Sequence, residues 1–498
     1  MRLDIDRERP TPLYQQIITA IINQVRLGML ATGTRLPPTR ELARDLGVTR
    51  TTVIAAYRGL EEQGWVSSHV GRGTYVTRPA ATEASEEEGG GAPTGPGGPR
   101  YVSRGELRRL MRLTDRPGLL SLASGIPALD TFPVDRLRQA FDQVLERQGA
   151  AALQYDSPEG HWPLRERIVG YLGQVGVVAH PSEVLITSGT QQGAALVARV
   201  MVQPGDVVLL DQPTYAGALD VFEGAGARLL GVPSDEAGIL PEALDALARR
   251  HHPRLLYVVP ACQGPAARTL PADRRRALHT LARAHGFTIV EDDSYRDLRF
   301  VGEPAVPLKA QDDSDHVIHL GSFSKTLAPG LRVGYVVAGA GALEALADAK
   351  QTADLHTSTL VQRAVDVYLA SGDLDAQLQR LRSVSAERRD ATLAALYRFL
   401  PKEVTWWAPE GGPFIWLKLP DDLSAVTAYM AALEQGVAFA IGAGFFPDRI
   451  DRGYIRINFA APRPPEVEEG LRRLGAALAS LGVGGFAGRA SRSGPTVL

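Results

Sequence analysis

The chain has 498 residues, room for roughly two to four domains, and its 44% hydrophobic and 22% charged residues are ordinary for a globular protein. No apolar run approaches the roughly 18 residues of a membrane span, and the N-terminus lacks the apolar segment of a secretory signal. The single cysteine, Cys262, excludes an intramolecular disulfide and suits a reducing cytoplasm, where we expect the protein to reside.

The net charge of −2 is unevenly distributed along the chain. Residues 1–78 contain eleven arginines, no lysine and seven acidic residues, a net charge of +4, which leaves −6 for the remainder. A basic head on an acidic body indicates a polyanionic partner for the head.

Residues 12–77 are predicted to form a small helical domain with a hairpin. Apolar residues recur at helical spacing over residues 12–30. In the next segment Thr39 is a candidate N-cap for a helix beginning near Arg40, Gly47 breaks that helix, and Thr49 is a candidate N-cap for the following one. Two short helices joined by a glycine turn predict a helix-turn-helix, and WVSSHVGRGTYVT predicts a two-stranded wing with a Gly-Arg-Gly tip.

The position of the second helix predicts a DNA-binding face. A recognition helix directs its N-terminus into the major groove, so the predicted contacts with bases or phosphates are Thr49, Arg50, Thr51 and Thr52. The predicted contacts with the DNA backbone are Arg35, Arg40 and Arg72. The alternative is a small helical domain whose arginines are merely solvated, but the order of helix, turn, helix and basic wing favours DNA binding. This block resembles the winged helix-turn-helix of the GntR family, most specifically in PPTRELARDLGVTRTTV.

The rest of the chain divides by composition. Residues 78–114 are predicted to be a flexible linker and lead-in, since residues 78–100 are rich in Gly, Pro, Ala and Glu without apolar periodicity. Residues 115–485 alternate apolar runs such as EVLITSG and FTIVEDD with amphipathic stretches, which predicts an α/β domain with a mostly parallel sheet covered on both faces. Residues 486–498 are predicted to be a disordered tail.

The run HLGSFSKTLAPGLRVGYVV, residues 319–337, carries the main chemical signal. Lys325 supplies an amine that condenses with an aldehyde, and Ser322, Ser324 and Arg332 are candidate phosphate ligands. Together they predict a pocket for pyridoxal 5′-phosphate, bound to Lys325 as a Schiff base.

The run FTIVEDDSYRDL ends a predicted buried strand with carboxylates, where α/β proteins bind ligands. Asp292 is the candidate that keeps the pyridine nitrogen of the cofactor protonated, and Tyr295 is the candidate donor to its phenolate oxygen. An isolated acidic cluster is more often a cap or a solvated surface, but Lys325, 33 residues downstream of Asp292, favours the cofactor site.

Four further patterns fit the same pocket. A strand, glycine turn and helix at residues 186–200 make Gly189, Thr190 and Gln191 candidate phosphate donors. Tyr215 is a candidate for stacking on the pyridine ring, although such a tyrosine is often only a core or rim residue. Tyr155 precedes a helix, and by resemblance to folds of this kind it is a candidate ligand for the phosphate of a partner subunit. Arg456 lies inside a predicted strand and suits a ligand carboxylate, with a structural ion pair as the alternative.

These motifs in this order resemble a fold-type I aminotransferase of class I/II over about residues 115–485. The resemblance implies a smaller C-terminal α+β subdomain and the roles assigned above to Lys325, Asp292, Tyr295, Tyr215 and Arg456. One position departs from that family: Gly264 stands where aminotransferases usually carry the asparagine of Asn-Pro-Thr-Gly. We expect Gln263 or a rearranged loop to replace the missing hydrogen bond.

The fusion of a GntR-type head to an aminotransferase-like body resembles the MocR family of bacterial transcription regulators, which includes the GabR type. This resemblance implies a regulator that binds promoter DNA and senses the cofactor, a small amino-acid-like effector, or both. It also implies a homodimer, since fold-type I pockets form between two subunits. The alternatives are an active aminotransferase of amino acids with a DNA-binding head, and a sensor of the cofactor alone. We predict no metal site and no membrane association.

Overall fold

The computed structural model describes residues 12–26, 34–62, 65–69, 73–77, 100–113, 118–303 and 305–484. The chain divides into two compact units, Met1–Ala92 and Pro93–Leu498. Among the helices within the described ranges, none combines the length and the apolar character that crossing a membrane requires.

The N-terminal unit contains three helices and a hairpin, listed in chain order: α1 (Leu13–Arg26), α2 (Thr39–Leu46), α3 (Arg50–Glu62), β1 (Val66–His69) and β2 (Gly73–Val76). The two strands are antiparallel, with Val66 opposite Val76. Ile17, Leu42 and Leu60 are fully buried in one core that joins the three helices. The predicted helices and wing strands are therefore confirmed, while the tip of the wing lies outside the described residues.

The two predicted helix caps have different outcomes. The Thr52 N–H donates to Thr49 Oγ1 at 3.3 Å, which confirms Thr49 as a cap, and Gly47 ends α2 in the left-handed conformation with φ 62°. The prediction for Thr39 was wrong, because α2 already begins at that residue and Pro38 occupies the cap position without a side-chain hydrogen bond. Pro38 is extended at φ −55° and ψ 143°, and its carbonyl accepts from the Glu41 N–H at 2.9 Å, so the chain turns into the helix one residue early.

The second unit, the body, contains the remaining elements. Its helices are α4 (Arg104–Arg112), α5 (Val134–Gln148), α6 (Trp162–Gly173), α7 (Thr190–Met201), α8 (Ala216–Gly224), α9 (Pro241–His251), α10 (Ala272–His285), α11 (Ala340–Asp354), α12 (Thr359–Ala370), α13 (Asp373–Phe399), α14 (Ala425–Glu434) and α15 (Pro464–Ser480). Its strands are β3 (Arg100–Tyr101), β4 (Leu120–Ser121), β5 (Val184–Thr187), β6 (Val207–Asp211), β7 (Arg228–Val232), β8 (Ser234–Asp235), β9 (Gly238–Ile239), β10 (Leu255–Val258), β11 (Thr288–Asp292), β12 (Val317–Ser322), β13 (Gly334–Val337), β14 (Thr405–Trp406), β15 (Phe414–Lys418), β16 (Val437–Ala438), β17 (Ala440–Ile441), β18 (Ile450–Asp451) and β19 (Tyr454–Asn458).

A seven-stranded sheet in the order β5-β13-β12-β11-β10-β6-β7 forms the centre of the body. Only β13 runs antiparallel to its neighbours, and the other pairs are parallel. β5, β10 and β13 are buried at every residue, as strands covered by helices on both faces should be. This confirms the predicted mostly parallel sheet and places the carboxyl ends of β11 and β12 side by side.

A smaller α+β subdomain forms the C-terminal part of the body, as predicted. Its four-stranded sheet has the order β14-β15-β19-β17, with antiparallel pairing throughout. α15 packs against α13 and α14. The subdomain positions β19, and with it Arg456, beside the segment that follows β4, because the Asn458 N–H donates to the Leu122 carbonyl at 2.8 Å.

Residues 100–113, at the end of the predicted lead-in, pack on the body. β3 pairs with β18, and α4 begins after Ser103, whose hydroxyl accepts from the Glu106 N–H at 3.2 Å. The Tyr429 hydroxyl donates to the Leu110 carbonyl at 2.8 Å. The predicted tail, residues 486–498, lies outside the described residues.

Candidate functional site

Lys325 lies in the turn after β12, at the carboxyl edge of the central sheet. Its ammonium nitrogen donates to the Gly125 carbonyl at 2.7 Å and lies 5.9 Å from the ring centroid of Tyr295. Burial, together with the nearby charge of Arg456, lowers the pKa of Lys325 to about 8. At pH 7 about a tenth of this amine is therefore neutral and nucleophilic, far more than for an ordinary lysine.

Asp292 ends β11 and is buried, with only 4% of its surface exposed. Its Oδ2 accepts from the Tyr257 hydroxyl at 2.7 Å, and its Oδ1 accepts from the Ser294 hydroxyl at 2.5 Å. Burial raises the pKa of Asp292, and the hydrogen bonds from Ser294 and Tyr257 oppose that shift. A cation next to this carboxylate, such as a protonated ring nitrogen, would offset its desolvation.

The two candidate tyrosines face the same space. Tyr295 packs edge-on against Phe414 at a centroid distance of 6.0 Å, and Tyr215 precedes α8 with 40% of its surface exposed. Burial raises the pKa of both phenols, and in both cases the charge of Arg456 opposes the shift. Both phenols therefore remain protonated at neutral pH and can donate hydrogen bonds. The charge of Arg456 acts on both of them.

Gly189 and the first turn of α7 form one side of a candidate phosphate cradle. Gly189 has φ 103°, and a Cβ there would lie 3.0 Å from the Arg332 guanidinium, so the position requires glycine. The N–H groups of Thr190 and Gln191 open the helix and have no earlier helical carbonyl to bond. The Thr190 hydroxyl lies 3.4 Å from that of Ser294, whereas the exposed Gln191 side chain donates to the Gly217 carbonyl at 3.2 Å.

Ser322, Ser324 and Arg332 form the other side of the cradle. The Ser322 hydroxyl lies 2.9 Å from that of Ser324 and accepts from the Ser324 N–H at 3.1 Å. Arg332 donates to the carbonyls of Ser188 and Pro329. The two sides of the cradle are in contact through Gly334. This residue pairs with Ser322 on the neighbouring strand, and it packs so closely on Gly189 that a Cβ on Gly334 would lie 2.7 Å from the Gly189 Cα. Hydroxyls, a guanidinium and free N–H groups are the donor set that binds a phosphate dianion.

Arg456 projects from β19 between two aromatic rings. Its guanidinium carbon lies 4.0 Å from the Phe414 centroid and 4.8 Å from that of Phe445, and its Nη2 donates to the Ala123 carbonyl at 2.7 Å. Its Nε is buried without a partner, and the described residues give it no carboxylate. Burial lowers its pKa to about 10. The structure therefore lacks the ion pair that was the alternative for this residue and leaves room for an external anion.

Several supporting residues were missed from the sequence. The Asn458 amide donates to the carbonyls of Ser124 and Ile126, at 2.7 and 2.9 Å, and so fixes the segment that carries Gly125. Asn458 follows Arg456 by two positions on the same strand, so the period of two could have indicated it. Tyr257 and Ser294, which hold Asp292, were also missed, although a tyrosine within the apolar strand LLYV was a usable signal.

Two predictions at the edge of the pocket have different outcomes. Tyr155 is 76% exposed and packs edge-on against His356, so it is not among the residues around Lys325 of its own chain. Gln263 does not replace the missing asparagine, because its amide N–H groups donate to Asp211 Oδ2 and the Pro213 carbonyl. A Cβ on Gly264 would lie 3.3 Å from Phe414 and 3.5 Å from Tyr295, so the glycine still faces the pocket.

The predicted DNA-binding residues that the structure describes lie at the surface of the N-terminal unit. Arg35, Arg40, Thr49, Arg50 and Thr51 are exposed, and Thr52 is partly exposed. Thr49 Oγ1 bonds the hydroxyls of Thr51 and Thr52, at 2.9 and 2.8 Å, and Arg50 Nε donates to Thr39 Oγ1 at 3.5 Å. Arg35 pairs with Tyr75 of the wing through an isolated bridge. Arg72 lies outside the described residues.

One group of potential metal ligands lies in the body away from these motifs. Ligand atoms of His279, Asp312 and His316 lie within 4.8 Å of one another. Asp312 accepts from Lys309 at 2.8 Å and pairs with His316 at 3.0 Å, and His316 bonds His279 at 3.1 Å. Hydrogen bonds and an ion pair account for this arrangement, and we assign no metal to it.

The comparisons with known proteins agree with this geometry. The family of aminotransferases of class I and II matches residues 117–474, and the gntR family of bacterial regulatory proteins matches residues 13–76. The chain therefore belongs to the aminotransferase class I and II family and carries a GntR-type winged helix-turn-helix, a DNA-binding domain, ahead of it. The cofactor indicated by this fold is pyridoxal phosphate, and the residues around Lys325 suit it.

Individual relatives narrow this class. A 2-aminoadipate transaminase from Thermus thermophilus is 41% identical over 384 residues, 76% of this chain and 95% of that protein. The structure of a kynurenine aminotransferase from Pyrococcus horikoshii, in complex with PMP, has a TM-score of 0.73 at 36% identity and covers 76% of this chain and 94% of that one. The probable rhizopine catabolism regulatory protein MocR from Rhizobium meliloti is 30% identical over 484 residues, 96% of each chain. Because that match includes both units, the chain is a member of the MocR group.

Proposed function

We propose that this protein is a pyridoxal-phosphate-dependent transcription regulator whose body senses an amino-acid-like effector and whose head binds promoter DNA. The observation that carries the proposal is the largely buried guanidinium of Arg456, which has no carboxylate partner in the part of the chain that the structure describes and whose charge acts on the amine of Lys325. An amino acid would supply both the amine and the carboxylate that these two residues require. A chain that joins this pocket to an exposed recognition helix suits a sensor.

The roles in the pocket follow from the contacts. When bound, pyridoxal phosphate supplies an aldehyde that condenses reversibly with amines. Lys325 would hold it covalently. Asp292 would keep the ring nitrogen protonated, Tyr295 would donate to the phenolate oxygen, and Tyr215 would stack on the ring. The phosphate would be held by Gly189, Thr190, Gln191, Ser322, Ser324 and Arg332.

A homodimer would complete the pocket. Large apolar side chains are exposed repeatedly between residues 126 and 162, namely Ile126, Leu129, Val134, Leu145, Leu153, Tyr155 and Trp162. Exposed apolar side chains at this density suit a protein interface, and the occupant we propose is a second copy of the chain. The phenol of Tyr155 would then reach the phosphate of the partner subunit. A regulator of this kind acts where promoter DNA lies, so we place it in the cytoplasm.

Effector binding would alter DNA binding only if the effector prefers one arrangement of the dimer over another. The test is fluorescence anisotropy at physiological salt, with cofactor-loaded full-length protein and labelled DNA from upstream of its own and neighbouring genes. We expect one such fragment to bind preferentially over scrambled DNA, with an affinity that changes when an effective amino acid is added. Equal affinity for all fragments, with and without amino acids, would contradict the proposal.

The second candidate function is transamination of amino acids, and it is supported by the amine of Lys325 and the buried carboxylate of Asp292, the two groups that the reaction would use. Gly264 argues for slow chemistry, since the asparagine that usually bonds the phenolate oxygen is absent and Gln263 is engaged elsewhere. Cofactor-loaded protein mixed with an amino acid, without keto acid, separates the two candidates. A changed absorbance spectrum without keto product favours the sensor, and stoichiometric keto acid that disappears in Lys325→Ala favours the enzyme.

A further inference from the structure

A pocket next to Lys325 shows which side chains an effector could carry. It is lined by twelve residues, of which only Lys325 has an ionisable side chain. Leu298, Leu381 and Val384 give it an apolar wall. Of its two hydroxyls, that of Thr131 already donates to the Ala128 carbonyl at 2.7 Å. Because Lys325, the proposed partner of the effector amine, lines this space, we assign the space to the effector side chain.

One guanidinium borders this pocket, and the chain itself neutralises it. Arg388, 6% exposed, donates from Nη1 to the carbonyl of Ala460, a lining residue, at 2.6 Å. Its Nη2 donates to Asp130 Oδ2, also at 2.6 Å. Asp130 lies in the 3₁₀ turn Leu129–Thr131, between the lining residues Ala128 and Thr131. The Asp130 side chain is 60% exposed, yet with the Ala460 carbonyl it engages both terminal nitrogens of Arg388, so the guanidinium is already paired.

We propose that the effector is an amino acid with an uncharged, mainly apolar side chain, and that Asp130 enforces this preference by holding Arg388. This inference rests on the proposed function, because it assumes that an amino acid occupies the pocket. A ligand with a second carboxylate would bury a charge without a cation to pair with it, because Arg388 is already paired, and burying an unpaired charge is costly.

The test compares L-norleucine with L-2-aminoadipate, which differ only in a terminal methyl against a terminal carboxylate. Each is titrated into cofactor-loaded full-length protein, and the absorbance of the bound cofactor reports the dissociation constant. For the natural protein we expect norleucine to bind at least about tenfold more tightly, since one unpaired buried charge costs at least 1.4 kcal/mol, which is tenfold in affinity.

Three variants assign the preference to these residues. In Asp130→Ala the freed Arg388 should reduce the preference for norleucine by about tenfold or more. Asp130→Glu retains a carboxylate and should keep the natural preference. Combining Asp130→Ala with Arg388→Met should abolish the gain in 2-aminoadipate binding. Asp135→Ala removes a neighbouring exposed carboxylate, which lies 3.6 Å from Arg138, and is the matched control that should change neither constant.

The outcomes separate this inference from the proposed function. The inference is supported if the preference for norleucine over 2-aminoadipate falls in Asp130→Ala and is unchanged in Asp135→Ala. Tighter binding of 2-aminoadipate by the natural protein, or an unchanged preference in a folded Asp130→Ala variant, overturns it and leaves the sensor proposal intact. No spectral response to any amino acid of either class overturns both. Thermal unfolding of each variant establishes that it is folded.

Discussion

Replacing Arg456 should make the protein more stable and less able to bind its effector. The guanidinium is largely buried, its Nε has no partner, and burial lowers its pKa from 12.5 to about 10. At 1.36 kcal/mol for each pKa unit, that difference corresponds to about 3 kcal/mol of unfavourable environment for the charge. Because the residue retains some exposure, we expect Arg456→Met to raise the free energy of unfolding by a smaller amount, about 1–2 kcal/mol.

The same substitution removes the only proposed partner of the effector carboxylate. Truncating one member of a buried charge pair costs roughly 2–5 kcal/mol, so amino acid affinity should fall by about 30-fold or more. The assay for stability is urea unfolding of cofactor-loaded protein without amino acid, and the assay for affinity is spectral titration with norleucine.

The matched control is Arg388→Met, because Arg388 is also largely buried, with 6% of its surface exposed, but is paired with Asp130 at 2.6 Å. This control should lower the free energy of unfolding, since it removes hydrogen bonds to Asp130 and to the Ala460 carbonyl. If Arg456→Met instead destabilises the protein as much as Arg388→Met does and leaves norleucine affinity unchanged, then Arg456 is a structural residue and the reasoning is refuted.

Three further predictions concern the cradle, the lysine and the head. Gly189→Ala should weaken cofactor binding by about tenfold in a spectral titration, because φ is 103° at this position and the new Cβ would contact Arg332. Gly224→Ala is the control and should leave cofactor binding unchanged, because no atom lies within 4 Å of its new Cβ. The pKa of Lys325 is about 8, and its neutral amine is the reacting form, so cofactor-free protein should bind pyridoxal phosphate faster as the pH rises, with a plateau above about pH 8. A rate that still increases at pH 10 would exclude this pKa. In the anisotropy assay, Arg50→Ala should reduce the affinity for the operator and the slope of its salt dependence. Arg250→Ala, on α9, is the control and should change neither quantity. Equal losses of affinity in both variants would argue against a specific DNA-binding face on the N-terminal unit.

The sequence predicted the elements that short-range patterns specify. Apolar runs ending in carboxylates or serines located the ends of β11 and β12, and glycine and threonine located the turn between α2 and α3. These patterns are informative because caps and strand ends depend on a few neighbouring residues. The position of the α2 cap is also set by neighbouring residues, but the prediction of Thr39 was wrong. The helix begins one residue earlier than predicted, because Pro38 with its fixed φ occupies the cap position.

The supporting contacts were beyond the reach of such patterns. Asn458 holds a segment more than 330 residues earlier, and Gln263 turns its amide to Asp211, 52 residues away, instead of to the pocket. Both outcomes depend on which loops the sheet brings together. No local pattern specifies them, because each amide had several partners of suitable chemistry along the chain.

By itself, the sequence determined the chemical inventory of this protein: a reactive lysine, a carboxylate at a strand end, a phosphate-binding turn and a recognition helix. Each of these is encoded within about twenty residues, where backbone geometry follows from local composition. The tertiary structure alone decided which buried charges are neutralised and which remain open. Arg388 meets Asp130 across 258 residues, whereas among the described residues the contacts of Arg456 are a carbonyl and two aromatic rings. The cost of an unpaired buried charge depends on its neighbours in space, and the fold brought a carboxylate to one arginine and left the other without one.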